Sequence, residues 1–278
     1  MRFIGLITDY GYGYYSGVLK AVIKGVNEGV EVIDIDHEIP GFNVIAGAYI
    51  VRVSYYWLPK GSIIVAVVDP GVGGSRKAIA VEAGDYVFVG PDNGLLYPAI
   101  VAEGFKRGVE LLPGKVSKLV RSKFKGKAGE EWALSATFHG RDLFGPAAAL
   151  LTLGYSLGEL GVPIGFNDIE RLDIEYVEPQ GLSYRVKVVY IDRFGNTVLS
   201  CKPQQIGFSL EGEYEIGAGG RTFRVSPAVK FSDVREGELL LYVNSFNFME
   251  LAVNRGSASQ KLGLRVGDTI TIRPLNRF

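Results

Sequence analysis

Ser62-Ile63-Ile64-Val65-Ala66-Val67-Val68 is the most apolar run of the chain, and it leads directly into Asp69-Pro70-Gly71-Val72-Gly73-Gly74-Ser75-Arg76. A short run that is apolar at every position, not at alternate ones, predicts a strand buried on both faces, as at the centre of a parallel sheet. Pro70 ends the ladder and leaves Asp69 at the mouth of the strand. Towards the N-terminus, residues 3–8 and 31–35 read as further short strands. Residues 15–26 carry Val18, Leu19, Val22, Ile23 and Val26 at helical spacing, and residues 43–56 carry Val44, Ile45, Ala48, Tyr49 and Val51. Towards the C-terminus, residues 78–90 and 93–97 suggest strands around a turn. Residues 145–153 begin a helix, with Pro146 in its first turn. Strand and helix alternate over about 160 residues, which predicts an α/β domain.

After Glu178-Pro179-Gln180-Gly181 the texture changes. Strand-like runs recur at 183–191, 213–217, 221–225, 238–243 and 268–273, and helical spacing becomes scarce. The expectation is an α/β N-terminal domain over residues 1–178 and an all-β, barrel-like or sandwich C-terminal domain over 179–278.

Composition narrows the function. Of 278 residues, 47% are hydrophobic and 22% charged, the balance of a folded globular chain. Lys and Arg total 30 and Asp and Glu total 30, so no basic excess points to nucleic acid, and weak net repulsion is compatible with self-association. One cysteine, Cys201, precludes an intrachain disulfide, and with only His37 and His139 as histidines no metal site is expected. The first ten residues are too briefly apolar for a signal peptide, and no run has the length of a membrane helix. A cytoplasmic protein without a membrane partner is expected.

Five constellations carry polar chemistry. Asp9, in Thr8-Asp9-Tyr10-Gly11, follows the first strand, where a carboxylate either accepts hydrogen bonds from ribose hydroxyls or caps the next helix. The glycines at 11, 13 and 17 do not have dinucleotide-binding spacing. Asp69 and Arg76 are close enough in sequence to pair, either structurally or to hold a charged carboxylate that orients a water. His139, in Thr137-Phe138-His139-Gly140-Arg141-Asp142, sits in a polar turn where imidazole can relay a proton, whereas Arg141-Asp142 reads as a local ion pair. His37, between Asp36 and Glu38, reads as a turn residue. In the C-terminal half, Asn196 of Asp192-Arg193-Phe194-Gly195-Asn196 offers an amide donor and acceptor that suit an adenine edge, or simply completes a β-turn. The polar stretch 243–258 reads as a binding loop on a β scaffold.

Taken in order, these blocks resemble the S-adenosyl-L-methionine (SAM) hydrolases, or SAM hydroxide adenosyltransferases, relatives of the fluorinase and chlorinase. The resemblance extends over Thr8–Gly11, Asp36–Ile39, Val68–Gly73, Thr137–Asp142, Asp192–Asn196, Asn244-Ser245 and Asn254–Ala258. It implies a homotrimer in which SAM, the substrate, lies between the N-terminal domain of one subunit and the C-terminal domain of the next, with no cofactor. It implies a catalytic Asp69, Arg76 and His139, a ribose-binding Asp9 and an aromatic contact from Phe42. Asn196 and the backbone near Val253 and Arg255 would hold adenine, and Asp192, Ser245 and Glu250 the methionine end. The halogenases have Tyr, Thr and Ser where this chain has Asp69, Val72 and Gly140, so the resemblance is to the water-using branch. Two positions depart from the family pattern. Tyr12-Gly13-Tyr14-Tyr15 lacks an expected Asp, and Phe246 stands where the halogenases have Arg. The implied reaction is attack of water on C5′ of SAM, with a non-catalytic SAM or adenosine sensor, or a halogenase, as the alternatives.

Overall fold

The computed structural model describes residues 3–275. These divide into two compact units, the first ending at Leu172 and the second starting at Asp173, six residues before the sequence boundary at 178.

The first unit is built on a seven-stranded sheet. Its strands are β1 (Phe3–Thr8), β2 (Glu31–Asp36), β3 (Ile63–Val67), β4 (Ala78–Ala83), β5 (Tyr86–Pro91), β6 (Phe105–Leu111) and β7 (Gly161–Ile164). Their order is β2-β1-β3-β5-β4-β6-β7. β1 lies parallel to β2 and β3, and β3 parallel to β5, with Ile4 opposite Ile63 and Ile63 opposite Val87. The remaining pairings are antiparallel. Helices α1 (Tyr14–Val26), α2 (Val44–Ser54), α3 (Tyr97–Glu103), α4 (Pro113–Lys123), α5 (Gly145–Thr152) and α6 (Leu157–Leu160) join them.

The continuous apolarity of β3 follows from this packing. Ile63, Val65 and Val67 enter one core with Leu19 and Ile23 of α1 and Leu150 of α5. Ile64, Ala66 and Val68 are buried on the opposite face, where α2 passes so close that a methyl group at Gly47 would press on Val68. After β1 the chain goes to β2 on one side, then crosses to β3 on the other. The carboxyl ends of β1 and β3 therefore flank a topological switch point, the usual ligand crevice of an open α/β sheet.

Residues 93–97 are not a strand. Asn93 turns back, its amide nitrogen donating to the Val68 carbonyl at 2.9 Å, and the buried Leu95 and Leu96 lead into α3. Leu95-Leu96-Tyr97 after Asn93-Gly94 is too short an apolar run to distinguish a strand from a buried turn.

The second unit is a closed barrel. Its strands are β8 (Val177–Gln180), β9 (Ser183–Ile191), β10 (Thr197–Leu199), β11 (Tyr214–Ala218), β12 (Arg221–Pro227), β13 (Leu239–Val243), β14 (Met249–Val253) and β15 (Thr269–Pro274), with α7 (Ala258–Leu262) before the last. The order β10-β14-β13-β12-β11-β15-β9 closes through a β9–β10 pairing, and β8 lies outside against β9. Inward-facing Val186, Val188, Leu199, Ile216, Leu251 and Ile272 fill it. Cys201 is buried in the same core, and burial pushes its thiol up to about 12, which leaves it an inert apolar group. Residues 249–253, read as part of a loop, form β14 instead: Met249, Leu251 and Val253 point inward and Glu250 outward. No helix among the described residues is long and apolar enough to cross a membrane.

Candidate active site

A cleft of about 630 Å³ opens at the switch point and is lined by Asp9 from the end of β1, Asp69 from the end of β3, and His139. Asp9 does not cap α1, which starts from Gly13; its Oδ2 accepts the Phe42 N–H at 2.9 Å. Phe42 adopts a left-handed φ of 63°, a conformation that a non-glycine residue holds only when its surroundings impose it. Its ring is 73% exposed at the rim of the cleft. Burial raises the Asp9 carboxyl above its ordinary value, the Phe42 N–H opposes this, and the Asp69 charge adds to it.

Beyond Val68 the chain makes two tight turns, Val72 N–H to Asp69 O at 3.3 Å and Gly74 N–H to Gly71 O at 3.0 Å. These return Arg76 to the strand mouth, where its guanidinium forms a two-pronged pair with Asp69. Nε donates to Oδ1 at 3.0 Å and Nη2 to Oδ2. The cation also lies 5.3 Å above the buried Phe144 ring. Arg76 Nη2 lies 2.8 Å from His139 Nδ1. Because guanidinium can only donate, Nδ1 must accept, which places the proton of neutral imidazole on Nε2. Burial first, then the Arg76 charge, lowers the His139 pKa below 6.5, against the opposing pull of Asp69 and Asp142.

His139 precedes a π-turn at Gly140–Phe144 that runs into α5. Asp142, nearly fully buried, secures this segment: its oxygens accept from Arg141 Nε at 2.6 Å, Arg141 Nη2 at 2.9 Å and the Ser135 N–H at 2.8 Å. The Arg141–Asp142 pair expected from sequence is therefore present, and Arg141 also borders the cleft. Gly140 is required by a close approach, since a Cβ there would collide with the Tyr10 hydroxyl.

His37 lies in the bend that follows β2, as its sequence position suggests. It is fully buried, with Nδ1 2.7 Å from the Thr8 hydroxyl and Nε2 3.1 Å from Asp34 Oδ1. Its carbonyl accepts the Gly11 N–H at 2.7 Å. This chain of contacts ties β2 to the segment that carries Asp9.

Sequence reasoning passed over the aromatic lining of the cleft: Tyr10, Tyr14, Tyr15 and Phe138. The available signal was the density of tyrosines at positions 10–15.

On the barrel, β10 and β14 bring distant residues together. Val198 pairs with Glu250 and Thr197 with Leu251, while the Ser259 N–H donates to the Gly195 carbonyl at 2.9 Å. Asn196 thus stands beside the turn that follows Val253. Asp192 is engaged locally: it accepts from the backbone of Phe194 and Asn196, each at 2.9 Å, and from Asn196 Nδ2 at 2.8 Å. Glu250 is buried, accepting from the Tyr242 hydroxyl at 2.6 Å and Asn244 Nδ2 at 2.7 Å, and burial raises its pKa. Ser245 is exposed in the β13–β14 turn. Arg255, at a φ of 55°, is exposed and pairs with Glu236 at 3.1 Å.

Comparison with known proteins gives concordant matches. Residues 4–161 match the SAM hydroxide adenosyltransferase N-terminal domain, and residues 186–271 its C-terminal domain. The chain is 36% identical to the (R)-S-adenosyl-L-methionine hydrolase of Thermus thermophilus, over 96% of this chain and 98% of that one. It is 30% identical to the Methanocaldococcus jannaschii protein of the same name, over 97% and 95%. A fluorinase of an Actinoplanes species is more distant, at 23% identity over 91% of each chain. The crystal structure of an uncharacterized conserved protein from Thermotoga maritima superposes with a TM-score of 0.84 at 34% identity, covering 97% of this chain and 99% of that one.

Proposed function

The chain belongs to the SAM hydroxide adenosyltransferase family, and from that premise we propose that it hydrolyses (R)-S-adenosyl-L-methionine to adenosine and L-methionine. The observation that carries the mechanism is the Asp69 carboxylate, gripped on both oxygens by Arg76 and lining the cleft beside His139. Water attacks C5′ of the ribose. The O–C5′ bond forms as the C5′–S bond breaks, its electron pair returns to sulfur, and one proton leaves the water. Asp69 accepts a hydrogen bond from that water and then its proton. His139 is not the acceptor, because Nδ1 is occupied by Arg76 and Nε2 carries the ring proton. Its task is to hold the guanidinium that holds Asp69. The sulfonium is already a good leaving group, so alignment is the main requirement and no cofactor is invoked.

Asp9 takes the ribose hydroxyls and Phe42 covers the sugar. On the barrel, Asn196, in the orientation set by Asp192, and the backbone near Val253 and Arg255 take the adenine. Ser245 and the Glu250-supported β13–β14 turn lie toward the methionine end. The assembly is a homotrimer working in the cytoplasm. Halide chemistry is disfavoured at two points: the Asp69 carboxylate repels an anion, and the Tyr10 hydroxyl fills the space a side chain at position 140 would need.

The test is incubation with each SAM epimer in chloride-free, heavy-oxygen water. Equal amounts of adenosine and methionine from the R epimer, with the label in the 5′-hydroxyl, are expected. Bound but unconsumed SAM would replace this reading with that of a sensor.

A further inference from the structure

We propose that Arg141 recognises the α-carboxylate of the substrate; this rests on the hydrolase reading above. Among the described residues, Arg141 is the single permanent cation that lines the cleft beside Asp69. SAM carries a sulfonium, an ammonium and one anion, its carboxylate. Of these, only the carboxylate is attracted to a cation in the wall.

The Arg141 guanidinium is held by one edge and one face. Nε and Nη2 donate to the two oxygens of Asp142, at 2.6 Å and 2.9 Å. The cation lies over the Phe138 ring at 5.1 Å, and that ring itself lines the cleft. Asp142 is 3% exposed and also accepts the Ser135 N–H at 2.8 Å, so the anchor is fixed. Guanidinium is a planar fork of N–H donors. Asp142 takes the Nε–Nη2 edge, and the Nη1–Nη2 end has no hydrogen-bond partner among the described residues. That end has the geometry for a second carboxylate, bound through two parallel N–H···O bonds.

Two hydroxyls stand close by. The Ser135 N–H and Arg141 Nη2 share Asp142 Oδ2, which places Ser135 beside the guanidinium. Ser135 Oγ lies 3.3 Å from Thr137 Oγ1, and both residues border the cleft. A fork flanked by hydroxyls offers donors, and an ionised carboxylate only accepts. The Arg141–Asp142 pair thus has a second use. It orients the fork before substrate arrives, so little side-chain freedom is lost on binding.

The probe is decarboxylated SAM, which keeps the sulfonium and the ammonium and lacks the carboxylate. Water attacks its C5′, the C5′–S electron pair returns to sulfur, and the products are adenosine, methylthiopropylamine and a proton. Wild-type kcat/KM is expected to be about 10²-fold lower for this compound than for (R)-SAM. The difference should lie mainly in KM, because the carboxylate is remote from the bonds that change. Arg141→Gln is expected to raise KM for (R)-SAM by about 10²-fold, and to cost the decarboxylated compound about tenfold less or better, so that the preference for SAM collapses. Arg141→Lys keeps a cation beside the buried Asp142 but not the fork, and should reduce the preference to about tenfold, with folding checked by urea denaturation. Equal losses on both substrates in the folded Lys variant would make Arg141 a counter-ion of Asp142 alone and overturn the inference. So would a wild type that consumes both substrates alike; in either case SAM hydrolysis stands. Absence of adenosine from (R)-SAM with the wild type would overturn the hydrolase reading itself, and this inference with it.

Discussion

Asp69 and Arg76 are seven residues apart, and the two turns between them suffice to make the guanidinium a fixed clamp rather than a mobile counter-ion. The carboxylate keeps its orientation without moving, which is the preorganisation that displacement by water requires. Asp69→Asn retains the shape but removes the proton acceptor, and is expected to lower kcat by about 10²-fold or more with a smaller change in KM, read by single-turnover kinetics. His139 sets the acid side of the pH profile. Its pKa is lowered in the folded protein, so the neutral ring contributes stability that is complete above the unfolded value of 6.5 and lost as pH falls toward the folded value. Protonation would also point a second donor at Arg76 Nη2. Urea denaturation at about pH 7.5 and pH 5 should show the wild type losing more stability than His139→Gln over this interval. Equal losses would remove the assignment of a neutral, accepting Nδ1.

At the scale of elements, the site is held by contacts between strand ends. The series Asp34–His37–Thr8, buried at His37 and Thr8, joins β2 to β1 one residue before Asp9. His37→Ala would open a cavity and leave the Thr8 hydroxyl with only the Tyr10 N–H as partner, an expected loss of about 3 kcal/mol in urea denaturation. Because Thr8 adjoins Asp9, KM for SAM should rise while kcat changes less; an unchanged KM would mean that the network serves stability alone. The sequence signal was partly readable here. Burial of residues 62–68 on two faces follows from their continuous apolarity, but a histidine between two acids carries no signal of burial, and only the packing of His37 beneath Tyr12, whose ring lies edge-on at 5.2 Å, shows it. Helix α4 escaped detection for a related reason: only Val116 and Val120 of its residues are buried, too few to establish a period.

For the whole molecule, the barrel closes because β10, three residues long, pairs with β9 on one side and β14 on the other. Its shortness hid it in the sequence, yet it carries Asn196 to the turn after Val253. The equal numbers of acidic and basic residues leave little net charge to oppose association. Light scattering after gel filtration is expected to give three times the chain mass, little changed by salt; a stable monomer active on SAM would contradict the trimer.

By itself, the sequence determined the two-domain plan, the burial of β3 and the placement of Asp9 after β1 and Asp69 after β3, because apolar periodicity and strand-ending residues act locally. It also carried the ordered motifs on which the family resemblance rests. Tertiary structure alone decided which partner each polar group meets. It set His139 on Arg76 across 63 positions, committed Asp192 and Glu250 to the barrel's own donors, and gathered four aromatic rings around the cleft. Hydrogen-bond partners and ring contacts depend on strand register and helix packing between distant segments, and no local pattern encodes them.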